Sequence, residues 1–251
     1  MNVPYRKFEI PPYSKSDIAF LALGTILNAA LTIWGLVWVT THWHVVNPPW
    51  YALVVALALG LFLADFLSGL LHWAFDTWFD EKMAAISRMV VLVREHHVYP
   101  HHIFRYDMHH EAGSGSWTSL FFTAPVYGLV TVGVSEGTIV GFSSVVACIV
   151  ISLCIVFMLQ FHKLGHRRSK SKVIRILQVS RMLMSPQHHG WHHSANHDVK
   201  YCLINGWADQ VLDALGFWRW MERVIQRATG AVPRRNDHEW MRRYGRSGGL
   251  R

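Results

Sequence analysis

Apolar runs long enough to cross a bilayer recur along this chain, separated by polar stretches that carry its charge. A membrane helix needs about 20 apolar residues. Residues 18–39 form such a run with no charged side chain, and residues 50–73 form a second, interrupted only by Asp65. An ionisable group at that depth faces the protein interior and has a partner. Whether Asp65 is functional or a paired structural group stays open at this point. A third run, 117–134, is shorter and contains Pro125, and a fourth, 138–161, is long and continuous. Ser135, Glu136 and Gly137 predict a tight turn between these two and so a helical hairpin. The expected fold is an all-α integral membrane protein of about four transmembrane helices.

Charge gives the expected orientation, because lysines and arginines beside short loops stay in the cytoplasm. Of the 24 in the chain, three precede the first run, four (Lys82, Arg88, Arg94, Arg105) lie between the second and third, and seventeen follow the fourth. Residues 42–49 and 135–137 hold none. Both termini are therefore expected in the cytoplasm, in a bacterial inner membrane or an endoplasmic reticulum. The expected organisation is a cytoplasmic segment 1–17, a membrane region 18–161 with a cytoplasmic loop at about 74–116, and a cytoplasmic histidine-rich, metal-binding cap 162–233. A charged, glycine-rich tail, 234–251, is expected to fray. The polar N-terminus has no apolar h-region, so no removable signal peptide is expected. Within the cap, Val173, Ile176 and Leu177, then Trp218, Met221, Val224 and Ile225, recur at helical spacing. These are amphipathic helices, lying on the membrane surface or packed in the cap.

Composition agrees: 51% of residues are hydrophobic and 16% charged. A net charge of +8 beside apolar spans suits anionic lipid headgroups. No nucleic-acid-binding motif accompanies the charge, so no nucleic-acid partner is expected. Cys148, Cys154 and Cys202 are too few and scattered for a disulfide framework and read as packing residues. Gly113 to Ser116, GSGS, lacks the strand-to-helix setting of a phosphate loop and reads as a linker.

The chain's seventeen histidines carry the candidate chemistry. Only His42 and His44 fall on the side opposite the charge, which removes them from any shared site. His162 and His166 are four apart, as are His189 and His193, with His192 between; residues three and four apart share a helix face. His72 is followed one turn later by Asp76. His96 and His97 are adjacent, which on a helix suggests that one ligates while the other hydrogen-bonds. His197 follows His193 by four residues and is placed to complete that cluster. A lone histidine is usually a satisfied core residue, whereas several same-face clusters point to a metal.

Structural zinc closes with four ligands and catalytic zinc uses three, so this many candidates imply two metals. Neutral imidazoles with few carboxylates, beside apolar helices, fit oxygen-activating iron better than hydrolytic zinc. No flavin or nicotinamide motif is present, so electrons are expected from a separate donor. The reading of another class is a non-enzymatic membrane metal- or haem-binding protein. Haem takes one or two axial ligands, fewer than this chain offers.

The segments Asp65-Phe-Leu-Ser-Gly-Leu-Leu-His72-Trp-Ala-Phe-Asp76, Arg94-Glu-His96-His97, Gln160-Phe-His162-Lys-Leu-Gly-His166 and His188-His189-Gly-Trp-His192-His193 resemble the plasmanylethanolamine desaturase family, also called the lipid desaturase domain or Kua family. Gly206-Trp207 and Gly216-Phe-Trp-Arg219 are similar to its C-terminal signature, and the likeness covers roughly 60–237. The resemblance implies an enzyme with a histidine-bound iron centre that uses O2 and an external donor, cytochrome b5- or ferredoxin-like, to dehydrogenate a membrane phospholipid chain. The expected product is the vinyl ether of a plasmalogen. An acyl-lipid desaturase or a lipid hydroxylase of the same iron chemistry is the alternative. The expected metal residues are His72, Asp76, His96, His97, His162, His166, His189, His192, His193 and His197, with two iron ions. His188, Glu95 and Asp107 are expected as supporting groups or further ligands. The segment after Asp107 departs from the family pattern, and His101, His102, His109 and His110 match no family position and are left out of the site.

Overall fold

In the computed structural model, the described residues are 12–83, 86–105, 107–133, 135–194, 197–240 and 242. Residues 1–11 of the expected N-terminal segment, position 134 of the third run, and positions 241 and 243–251 of the tail lie outside them. All regular structure among the described residues is helical.

Four long helices make the main body: α1 (Lys15–Val46), α2 (Trp50–Thr77), α4 (Met108–Thr131) and α5 (Ile139–Val156). α1 starts on a capping box, in which Ser14 and Asp17 satisfy each other's backbone N–H. α2 packs on α5, α4 on α5, and α1 on α4 and α5. Their core joins Trp38, Ala56, Tyr127, Phe142, Val145 and Ile149. Apolar side chains such as Ile26, Val55, Phe121 and Val140 face outward, where acyl chains rather than water would meet them.

Three helices, α1, α2 and α5, are long and apolar enough to cross a membrane. The third apolar run is helical too, but α4 starts earlier than expected, so its first turns are the polar stretch 108–116. The expected loop at 74–116 is correspondingly shorter. The GSGS stretch is helix and not a linker. Its glycines let neighbours approach: a Cβ on Gly113 would stand 2.6 Å from Leu21 Cβ, and one on Gly115 would stand 2.7 Å from the Ile155 carbonyl oxygen. Inside the body, Ser152 donates to Asn28 Oδ1 at 2.9 Å, receives Ser119 at 3.0 Å, and meets Thr32 at 3.0 Å. Such hydrogen bonds tie helices together where lipid gives no hydrophobic drive.

Smaller helices build one end. α3 (Ser87–Val98) and a 3-10 turn (Pro100–Arg105) lie between α2 and α4 in sequence. After α5 come α6 (Met158–His166), α7 (Lys172–Val179), α8 (Pro186–Ser194), α9 (Trp207–Ala214) and α10 (Phe217–Thr229). The fourth apolar run does not continue as one rod through Lys163, because Phe157 both ends α5 and precedes α6. Val173, Ile176 and Val179 on α7 are exposed, whereas Trp218 on α10 is buried against Trp73 and Tyr201.

Asp65 is a structural anchor. Buried in α2, it accepts the backbone N–H groups of Ile204, Asn205, Gly206 and Ala208 at 2.9–3.1 Å. Ser68 accepts that of Leu203 at 2.9 Å. One carboxylate thus fixes the turn entering α9 against the main body and satisfies donors that would otherwise be buried unpaired. Cys202 sits in the same turn, packed where a Cβ on Gly69 would meet its Sγ at 2.6 Å. All three cysteines are free and buried, as packing residues are.

Candidate metal centre

Helical periodicity presents the ligands. His72 and Asp76 occupy one face at the end of α2, His162 and His166 one face of α6, and His189 and His193 one face of α8, with His192 turned away from that pair. Adjacent residues on a helix point about 100° apart, so on α3 His96 and His97 serve different groups.

Two clusters result. In the first, ligand atoms of His96, His162, His166, His189 and His193 all lie within 4.8 Å of one another; in the second, those of His72, Asp76, His97 and His192 do the same. The clusters adjoin, the rings of His72 and His162 having centroids 5.1 Å apart. His96 and His97, both expected as metal residues, each offer a nitrogen to a different cluster. His197 joins neither main cluster. It stacks on His97 at 3.9 Å and forms a third group with His97 and Asp237.

Hydrogen bonds on the far side of several rings settle which nitrogen faces inward. His72 Nδ1 donates to the Tyr201 carbonyl at 2.9 Å, and His192 Nδ1 to the Val199 carbonyl at 2.8 Å. A carbonyl only accepts, so both Nδ1 atoms carry the proton and both Nε2 atoms present lone pairs. His97 Nδ1 donates to Asp237 Oδ2 at 2.7 Å. Inside the second cluster, Nε2 of His72, His97 and His192 and both oxygens of Asp76 are buried without a hydrogen-bond partner. Orphaned acceptors converging this way fit a cation.

The first cluster passes the same test by distance. Nε2 of His189 stands 2.9 Å from those of His162 and His166 and 3.1 Å from that of His193, and His166 Nε2 is 3.2 Å from His162 Nε2. Imidazole nitrogens bound at right angles to one ion at about 2.1 Å stand about 3.0 Å apart, and tetrahedral ones about 3.4 Å. Five candidate imidazoles also exceed the four ligands of tetrahedral zinc. The clusters are compatible with iron.

Protonation favours binding as well. Burial first, and neighbouring imidazoles second, hold His96, His97, His162 and His189 well below the ordinary histidine range. Burial also takes His166 and His197 down to about 3 and His192 to about 4. The rings are neutral at physiological pH, as ligands must be.

The expected supporting groups are arranged differently. Glu95 is buried but turned toward the 3-10 turn, where it accepts from His102 Nδ1 at 2.7 Å. Asp107 is exposed and caps α4 through the His109 N–H, so its expected place beside the metal ligands is corrected. His188 points to Asp209 at 2.7 Å and ties α8 to α9 outside both clusters. Asp237 was missed in the sequence because it lies in the stretch expected to fray. That expectation fails for 234–240: Arg234 N–H donates to the Thr77 carbonyl at 2.9 Å, Arg94 Nε donates to Asp237 at 2.7 Å, and Trp240 packs on Val91.

A cavity of about 490 Å³ adjoins the clusters. It touches His72 and His162 and is lined elsewhere mostly by apolar groups including Phe20, Leu21, Leu92 and Trp117, with Asp17, Arg88 and Glu111 among them. It reaches one residue of each cluster.

The family model of the lipid desaturase domain matches residues 61–236. A plasmanylethanolamine desaturase of Myxococcus xanthus is 30% identical over 230 residues, 90% of this chain and 77% of the relative. Plasmanylethanolamine desaturase 1 of Mus musculus is 29% identical over 74% of this chain and 70% of its own. The chloroplastic fatty acid desaturase 4 of Arabidopsis thaliana is 29% identical over 70% of this chain and 52% of its own. No solved structure matches. With its histidine clusters set beneath an apolar slot, the chain belongs to the lipid desaturase domain family and is a membrane lipid desaturase, an oxidoreductase.

Proposed function

We propose that this desaturase makes the vinyl ether of a plasmalogen from an alkyl ether phospholipid, using two irons, one in each histidine cluster. The observation that carries the proposal is the convergence of imidazole nitrogens on two adjoining centres beside a largely apolar slot, unpartnered in the second cluster and 2.9–3.2 Å from one another in the first. The two most similar relatives described above carry the plasmanylethanolamine name, which favours the ether substrate. The Arabidopsis likeness favours an acyl chain and supplies the second reading.

His96, His162, His166, His189 and His193 hold one ion, and His72, Asp76, His97 and His192 hold the other, with His197 beside it. Iron bound there supplies oxidation by O2, and the overall balance is fixed: two hydrogens leave neighbouring chain carbons, and with two electrons and two protons from outside they reduce O2 to two waters. The protein's own part is positional. Carbonyls of Tyr201 and Val199 and the carboxylate of Asp237 orient three rings, and the slot holds the chain beside His72 and His162 while its apolar lining excludes water. The electrons come from a separate cytochrome b5- or ferredoxin-like protein. Both termini and the metal centre face the cytoplasm in this reading, which the one-sided distribution of lysines and arginines supports.

Lipid mass spectrometry tests the proposal in cells expressing the chain or its His162→Ala variant and fed an alkyl ether phospholipid. The expected result is an acid-labile species two hydrogens lighter, made only with the intact chain. An acid-stable unsaturated acyl lipid moves the assignment to acyl desaturation. An oxygenated chain moves it to hydroxylation.

A further inference from the structure

We propose that Arg88 binds the phosphate of the lipid substrate, so that the enzyme selects a phosphate-bearing glycerolipid and places the glycerol end of its chain at the metal centre. The inference rests on the lipid-desaturase reading above and adds the headgroup to it.

A second cavity of about 340 Å³ adjoins the chain slot. The two share a wall that includes Tyr13, Arg88, Leu92, Glu111 and His162. Arg88 is held in that wall by its surroundings: its guanidinium lies 3.8 Å over the Tyr13 ring, which stacks on His110 at 3.9 Å, and Nη2 donates to the Pro12 carbonyl at 3.3 Å. Nη1 is buried and has no hydrogen-bond partner. Among the described residues no carboxylate lies within 4 Å of this guanidinium. The neighbouring cations are engaged: Arg105, which lines the second cavity only, with Glu95 at 3.5 Å, and Lys163, which lines neither, with Glu111 at 2.7 Å.

A buried guanidinium donor without an acceptor is costly, and phosphate, which guanidinium binds through directed charged hydrogen bonds, removes that cost. The position also agrees with the chemistry. A vinyl ether forms at the carbons next to the ether oxygen, a few bonds from the phosphate. Reacting carbons beside His162 therefore leave the phosphate in the same wall, while Phe20, Leu21 and Trp117 receive the rest of the chain.

The test uses iron-loaded protein in detergent and two lipids with identical chains, an alkyl-acyl-glycerophosphoethanolamine and the alkyl-acylglycerol that lacks the phosphate, with dissociation constants read by microscale thermophoresis. The intact protein is expected to prefer the phosphate-bearing lipid by about tenfold to hundredfold, the span of a charge-assisted hydrogen bond. Arg88→Gln should lose that preference, bind the phosphate-free lipid unchanged, and keep its iron. Equal binding of both lipids by the intact protein, or a preference that survives Arg88→Gln, overturns the proposal. Displacement of the lipid by inorganic phosphate at matching concentration also overturns it, because the site would then serve free anions. If Arg88→Gln fails to fold, Arg88→Met, which keeps the apolar stem over Tyr13, takes its place with the same expected loss of preference, and a preference that survives it overturns the proposal. Phosphate preference without dehydrogenation would sink the reaction and spare the site; dehydrogenation without phosphate preference would do the reverse.

Discussion

His97 and Asp237 stand 140 residues apart in the chain and share a 2.7 Å hydrogen bond from Nδ1 to Oδ2, with Arg94 holding the other carboxylate oxygen at 2.7 Å. The bond fixes the tautomer of His97, turns its Nε2 toward His72, Asp76 and His192, and anchors the segment after α10 to α3. Loss of a group that orients a ligating histidine typically weakens metal affinity by about 10- to 100-fold. Asp237→Ala is therefore expected to lose iron from the second cluster at chelator concentrations that leave the intact protein loaded, as measured by elemental analysis after dialysis. Iron retention equal to that of the intact chain would remove Asp237 from the centre.

How far this arrangement was legible in the sequence depends on the range of the interactions. Same-face pairs such as His162 with His166 follow from helix geometry alone, and the structure brings them together as expected. Asp237 has no such periodic signal. It lies in a run of arginines and polar residues, and its importance comes from a contact 140 residues away. The assignment of His96 and His97 to different clusters likewise needed the placement of α6 and α8 beside His96 and of α2 and α8 beside His97. GSGS was misjudged because loops and close helix packing both favour small residues, and only the nearness of Leu21 and Ile155 separates the two.

Asp65 lies close in sequence to the histidine ligands but is expected to behave as a scaffold residue. Replacing it by alanine leaves the N–H groups of Ile204, Asn205, Gly206 and Ala208 buried without their acceptor. Each such loss costs about 1–3 kcal/mol. Asp65→Ala should thus lower the midpoint of thermal unfolding sharply in iron-free as well as iron-loaded protein. A variant that unfolds normally when stripped of iron, yet loses activity, would instead give Asp65 a part in the chemistry.

Protonation makes a separate prediction for the iron-free protein. His166, His192 and His197 titrate at about 3, 4 and 3 in the fold against an ordinary 6.5, chiefly through burial. Between those values the unfolded chain binds protons that the folded chain refuses, so stability falls as pH drops below about 6.5 and is flat above it. Each such ring contributes up to about 1.4 kcal/mol per pH unit. Chelator-stripped protein should melt at a lower temperature at pH of about 5 than at about 8, and loading with iron should raise both melting temperatures. A melting temperature that is independent of pH would mean that the rings are not buried as neutral groups.

Gly165 offers a way to separate the two clusters. It sits on α6 between His162 and His166, and a Cβ there would lie 3.1 Å from His189 Cβ and 2.6 Å from the end of Met184. Met184 has a flexible terminus and yields, but His189 Cβ is fixed by the backbone of α8. A valine at this position must therefore push α6 from α8, which parts His162 and His166 from His189 and His193. The three atoms nearest that Cβ belong to Met184 and His189, not to the second cluster, and the bonds from His72 to Tyr201 and from His97 to Asp237 lie outside the displaced pair. Gly165→Val is expected to bind about half the iron of the intact chain, to keep its helical content by circular dichroism, and to lose desaturation altogether, since the chain slot ends at His162. Full iron with full activity would show that α6 and α8 do not share a metal. Loss of all iron would show that the two clusters load as one unit, and the single-cluster arrangement of Asp237→Ala would then be expected to fail in the same way.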